Sequence, residues 1–211
     1  MIHLLFLGDG PRDEAILPPI VGGILEKETA GEFRSWKSLR LHDRRGRTRK
    51  GSSSKIKGYG RKLKYARRIA EDGDLAGLVA IVDSDRAPPG SRLRELRKAR
   101  KDERAAGYDL PIAVGEAKPH TEAWLLDDAQ AVRSVLSLGE EVAVPSVRNL
   151  EDPKGALEAL LQASPRQDEP KIVWADLAKE LDPKGCAQAK QTGFAAFVKD
   201  VQAELRSVPE V

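Results

Sequence analysis

The stretch GLVAIVDSDRAPPG, residues 77–90, decides how the chain is read. Its apolar run, residues 78–82, shows no polar alternation and stops at Asp83-Ser84-Asp85. A short unbroken apolar run predicts a strand buried on both faces, as in a parallel sheet. Along an extended chain, positions two apart point the same way, so Asp83 and Asp85 would share a face. Two unpaired carboxylates so close raise each other's pKa, and a cation between them relieves the repulsion. On its own, the motif is more simply explained by a turn-forming role or by pairing with Arg86.

The N-terminus repeats the pattern. MIHLLFLGDG has a short apolar run, broken only by His3, that ends in Gly8-Asp9-Gly10. It reads as a second buried strand, and its shortness and lack of a preceding basic region speak against a signal peptide. Pro11 suits the first turn of a helix, with Asp13 and Glu14 favourable near its N-terminus. That helix is predicted over 12–28, with Pro18-Pro19 expected to kink or split it. A short strand is predicted at 38–42 and a loop over 43–60, where Gly and Ser interrupt the basic residues. Residues 62–71 present Leu63, Ala66, Ile69 and Ala70 at helical spacing. Pro88-Pro89-Gly90 predicts a turn, Ser91 the cap of a helix ending near Ala106, and residues 109–117 a further strand. Alternating strands and helices predict an α/β fold with a mainly parallel sheet. After residue 120 the pattern is helical. The expected organisation is therefore an α/β domain over 1–120 with a helical extension, 121–211, packed on it. Asp-Pro-Lys-Gly, at 152–155 and again at 182–185, predicts two helix starts.

Composition narrows the function classes. The chain has 211 residues, one cysteine, 33% charged residues and 5% aromatics. Cys186 alone permits neither an intramolecular disulfide nor a thiolate-rich metal site, and points to a reducing, cytoplasmic setting. No apolar run approaches the roughly 20 residues that span a bilayer, so no membrane partner is expected. A net charge of +3 conceals an asymmetry: residues 1–104 carry 25 Lys/Arg against 15 Asp/Glu, and residues 105–211 carry 11 against 18. Thirteen of the basic residues lie in 40–68, beside one acid, Asp43. Such asymmetry suggests a polyanionic partner for the N-terminal half. Arg44, Arg45, Arg47, Arg49, Lys50, Lys55, Lys57 and Arg61 are the candidate nucleic-acid contacts, the alternative being a solvated face.

In an open parallel sheet, ligands collect at the carboxyl ends of the strands. If the strands ending at Asp9 and Asp83 are neighbours, Asp9, Asp83 and Asp85 converge, with Asp13 one helical turn along. Hard oxygen donors of this kind suit Mg2+ or Mn2+. His3, His42 and His120 are too scattered for a zinc site, although His120 lies near a candidate motif. Trp124 reads as core.

LLFLGDGPRDEAIL followed about seventy residues later by GLVAIVDSDRAPPG resembles the TOPRIM domain. That Rossmann-like sandwich is shared by topoisomerases, primases, recombination proteins and the overcoming-lysogenization-defect nucleases. HTEAWLLDD (120–128) and EDPKGALEALL (151–161) further resemble small stand-alone bacterial TOPRIM-like proteins related to those nucleases. The resemblance implies metal-binding or acid–base roles for Asp9, Asp83 and Asp85, with Asp13 assisting. It implies a further metal ligand at Glu122, whose other reading is a helix-start cap near Thr121. Lys154, matching the branch's Asp-Pro-Lys turn, would neutralise phosphate charge in the transition state, or is a solvated lysine. The family's first acidic residue is normally Glu; here it is Asp9.

The expected activity is therefore Mg2+- or Mn2+-dependent hydrolysis of phosphodiester bonds in nucleic acid, DNA ahead of RNA, with Asp9 and Lys154 catalytic. The alternative is a non-catalytic nucleic-acid- or partner-binding subunit of a larger complex. The sequence carries no ATPase motif, so any motor would be a separate protein; a homodimer stays open. An Asp-x-Asp phosphohydrolase or nucleotide-sugar transferase fits less well, because Arg86 follows the motif and the basic segment favours a polymer.

Overall fold

A computed structural model describes residues 1–39, 57–84, 88 and 90–210. Four strands form one all-parallel sheet: β1 (Ile2–Gly8), β2 (Thr29–Ser35), β3 (Gly77–Asp83) and β4 (Ile112–Ala117), in spatial order β2-β1-β3-β4. The intervening helices are α1 (Pro11–Leu25), α2 (Tyr59–Asp72) and α3 (Ser91–Ala105). Beyond the sheet come α4 (Glu122–Asp127), α5 (Ala129–Leu136), α6 (Pro153–Ala163), α7 (Pro170–Glu180) and α8 (Phe194–Leu205). This is an α/β sandwich of Rossmann type.

The unbroken apolar runs are explained by the two faces. Leu4 and Phe6 of β1, with Val79 and Ile81 of β3, face a core built by α1 and the C-terminal helices. Leu5, Leu7, Leu78, Ala80 and Val82 face a second core under α2 and α3. Apart from exposed His3 near the start of β1 and Asp83 at the end of β3, each central strand is therefore apolar throughout, because alternation would leave a polar side chain in one of the two cores. Asp200 of α8 accepts from the Val114 amide at 2.7 Å while pairing with Arg100 at 2.7 and 3.1 Å. An otherwise open edge of β4 is covered in this way.

The structure departs from the sequence expectations at several places. A strand that the sequence did not announce runs at Thr29–Ser35, paired residue for residue with β1, while of the strand expected at 38–42 Ser38 and Leu39 are not extended and 40–42 lie outside the described residues. TAGEFRS gives no apolar signal because this edge strand is only half covered. Gly31, at φ +152°, is needed there, since a Cβ would fall inside the Leu4 backbone. The first helix ends at Leu25 and is continuous through Pro18 and Pro19. Ile16, Leu17, Ile20 and Val21 are buried around the prolines, so core packing holds the helix where two backbone hydrogen bonds are missing. Gly90, not Ser91, is the N-cap of α3. Only the first Asp-Pro-Lys-Gly starts a helix, capped by Asp152 on the Gly155 amide at 2.9 Å. The second is a turn, tied by the Asp182 amide to the Asp128 carboxylate at 3.1 Å. Trp124 is fully buried, stacked on Phe197 with ring centroids 5.1 Å apart.

Candidate functional site

The strand order puts the reversal of chain direction at β1 and β3. From β1 the chain crosses to β2 on one side, and the later strands add on the other. Ligand crevices open at the carboxyl ends of strands flanking such a point. Here β1 ends in Gly8-Asp9 and β3 in Asp83, and the Asp83 amide donates to Asp9 Oδ2 at 3.3 Å. The Asp9 carboxylate thus lies at the backbone of Asp83, and both residues line one cleft.

Asp13 is the brace beneath them. It is 5% exposed, and its Oδ2 accepts from the Asp9 and Gly10 amides at 2.7 and 3.2 Å. Its Oδ1 accepts from the Thr121 hydroxyl at 2.8 Å. Three of its roughly four acceptor positions are thus occupied. Burial pushes its pKa up, opposed by those hydrogen bonds and reinforced by the Glu122 charge. Gly8 is the residue that lets it sit there: a Cβ on Gly8 would lie 2.5 Å from Asp13 Cβ.

Asp83 is also strongly perturbed. Burial, then the Asp13 and Asp9 charges, push its pKa up to about 7, against the pull of a hydrogen bond from His120. His120 Nδ1 lies 3.0 Å from Asp83 Oδ2. The Ser84 amide donates to the Ala117 and Pro119 carbonyls at 3.0 and 3.2 Å, which fixes the segment carrying His120 beside β3.

A cleft of about 380 Å³ opens over these groups, lined by Asp9, Asp13, Asp83, His120, Glu122, Arg12, Lys154 and Trp174, among others. Glu122 is buried and bonded to Arg12 at 2.7 Å. Arg12 also pairs with Glu158, and its guanidinium carbon lies 4.8 Å from the centre of the Trp174 ring. Lys154 reaches the cleft from the first turn of α6 and is exposed.

Of the expected site residues, Asp9, Asp13, Asp83, Glu122 and Lys154 therefore line one cleft. Asp85, Arg44, Arg45, Arg47, Arg49, Lys50 and Lys55 lie outside the described residues. Lys57 and Arg61 are exposed at the start of α2. Among the described residues, no three His, Cys, Asp or Glu side chains are grouped to hold a metal ion. Asp9 and Asp83 nevertheless offer the hard oxygen donors a divalent cation takes, with burial, then the Asp13 and Asp9 charges, pushing the Asp83 pKa up.

Sequence reasoning passed over Arg12, Trp174 and the His120–Asp83 contact. His120-Thr121 directly precedes Glu122, and that adjacency was the available signal. Nothing in the sequence links Arg12 to Glu122, which is 110 positions away.

No protein-family model and no curated protein matches the chain. One similar solved structure is the C-terminal region of the Burkholderia pseudomallei OLD protein, at 12% identity, 98% coverage of both chains and a TM-score of 0.34. A likeness of that size carries no argument about activity. No described helix is long and apolar enough to cross a membrane.

Proposed function

We propose that the chain is a TOPRIM-like, divalent-metal-dependent phosphodiesterase acting on nucleic acid. The observation that carries this reading is the meeting of Asp9 and Asp83 at adjacent strand ends, under a cleft that Arg12 and Lys154 also line. Asp9 and Asp83 would hold Mg2+ or Mn2+, with Asp85, Asp13 and Glu122 assisting. When bound, the ion polarises the phosphate and lowers the pKa of the attacking water. The chain's own groups supply the rest. Asp13 fixes the loop at Asp9 through two amides. His120 orients Asp83 and shares a proton with its Oδ2. Asp9 accepts the water proton, and Lys154 offsets charge on the phosphate as its bond to the leaving oxygen breaks.

The Arg12–Glu122 pair favours a second reading. Glu122 already has a cation, and Asp9 is shorter than the Glu that the TOPRIM pattern leads one to expect. A nucleic-acid- or partner-binding subunit with no hydrolytic activity would look similar. Incubation with single- and double-stranded DNA and RNA, in Mg2+ and in Mn2+, separates the two. The nuclease reading expects cleavage that is lost in Asp83→Asn and Asp85→Asn while binding persists. Binding without cleavage of any of the four substrates leaves the second reading standing.

A further inference from the structure

One cationic feature at the strand ends lies outside the cleft, on the α2–α3 side of the sheet. Trp36 is fully buried there and pins both carboxylate-bearing strands. Its amide donates to the Gly8 carbonyl at 2.9 Å and its Nε1 to the Ile81 carbonyl at 2.6 Å. Lys62, one turn into α2, reaches back to this point and donates from Nζ to the Trp36 carbonyl at 2.7 Å. Its ammonium lies 5.5 Å from the centre of the Tyr59 ring, and Tyr59 packs edge-on against Trp36 at 5.2 Å. Arg92, from the first turn of α3, donates to the Asp83 carbonyl at 2.6 Å and lies 5.4 Å from the same ring. One tyrosine thus organises two cations, one beside the end of β1 and one over the end of β3.

Lys62 is held in an unusual balance. Partial burial pushes its pKa down, and the Asp9 charge pulls it back up. No carboxylate among the described residues is within ion-pair distance of it. An ammonium has three donors, and Trp36 takes one. The chain leaves the described structure after Leu39 and returns at Lys57, three residues from Trp36 and two from Tyr59. Seven Lys/Arg and one Asp lie between in the sequence.

We propose that Lys62, with Arg92 beside it across the Tyr59 ring, binds a backbone phosphate of a nucleic-acid strand next to the phosphodiester seated in the cleft. Arg12 and Lys154 then flank the carboxylates on one side and Lys62 and Arg92 on the other, and the strand crosses the sheet ends between them. The site rests on the nucleic-acid reading above and adds the direction in which the strand leaves the cleft. Phosphate contacts of this kind give affinity and register without choosing sequence.

The test is a salt titration of a labelled single-stranded oligonucleotide, in EDTA and again with Ca2+. Lys62→Gln is expected to weaken binding about three- to tenfold at low salt and to reduce the log–log salt slope by about 0.7, one contact's worth. Lys62→Arg is expected to keep the parent slope. Because Lys62→Gln also removes the bond to Trp36, a second measurement uses the unaltered protein: oligonucleotide should protect Lys62 from acetic anhydride while Lys179 and Lys199 stay reactive, read by peptide mass spectrometry. Parent-like affinity and slope in Lys62→Gln, or acetylation of Lys62 undiminished by bound oligonucleotide, overturns this site and leaves the nuclease reading intact. A parent protein that binds no oligonucleotide overturns both.

Discussion

Asp83 is held between two demands. Its pKa of about 7 in the fold stands against an ordinary 3.8. Between those values the folded protein keeps a proton that the unfolded chain has lost, so stability falls as pH rises through the window. Above it the whole cost of a buried, crowded carboxylate is present. Asp83→Asn removes the charge and keeps the shape. Its melting temperature is expected to exceed the parent's at pH of about 8 and to converge with it by about pH 4. Equal melting temperatures at both ends would mean that Asp83 is not the strained group. Mn2+ should act above that window, where Asp83 is ionised, raising the parent's melting temperature there and losing most of that effect in Asp83→Asn. Gly8 tests the brace below. Gly8→Ala drives a methyl to 2.5 Å from Asp13 Cβ, so the capping carboxylate must move. Overpacking of this sort costs roughly 1–3 kcal/mol. Urea unfolding should show that loss together with the disappearance of Mn2+-induced stabilisation, because Asp9 loses its hold.

At the scale of elements, α2 and α3 are joined by a buried cation. Arg67 is 2% exposed, pairs with Glu103 and Glu71, and stacks 3.6 Å from the centre of the Tyr108 ring. Breaking one partner of a buried pair strands the other charge, at a cost near 3 kcal/mol. Glu103→Gln is therefore expected to lower unfolding stability by about that amount, whereas Glu71→Gln, on the exposed side, should cost under about 1 kcal/mol. A reversed order would place the buried contact at Glu71 instead. The legibility of elements follows burial in the same way. β1 and β3 are readable because both faces are covered, so their central positions are all apolar and polar residues occur only near the ends, at His3 and Asp83. β2 was not, since an edge strand with Gly31, Glu32 and Arg34 leaves no periodic trace. The unbroken α1 was misread for a related reason: proline preference is a local term, and burial of Ile16, Leu17, Ile20 and Val21 outweighs it. At the site, Asp9 and Asp83 announced themselves as charges ending apolar runs. Arg12, His120 and Lys62 did not, because each acquires its role only from a partner brought near by the fold.

Across the whole molecule, the crossing at β1 and β3 converts two separate strand ends into one acidic point. The charge asymmetry puts the chain's excess of Lys and Arg in the same half of the sequence as Asp9 and Asp83. On a polyanionic partner, such a distribution would make affinity a property of many weak contacts rather than of the cleft alone. Each phosphate neutralised releases condensed counterions, about 0.9 per contact on duplex DNA and about 0.7 on a single strand. Replacing Arg44, Arg45, Arg47, Arg49 and Lys50 together by Gln removes five positive charges remote in sequence from Asp9 and Asp83. If those charges lie on the nucleic acid, the salt slope should flatten by up to about 4.5 on duplex and about 3.5 on single strands. Turnover of bound substrate in Mg2+ should meanwhile change far less than binding, because the carboxylates are intact. The readout is a pair of measurements on one variant: affinity across a salt series, and single-turnover cleavage at saturating protein. Unchanged affinity at low salt would show that the run only keeps the surface solvated. A collapse of single-turnover cleavage with affinity retained would move those residues from holding the strand to shaping the reacting site.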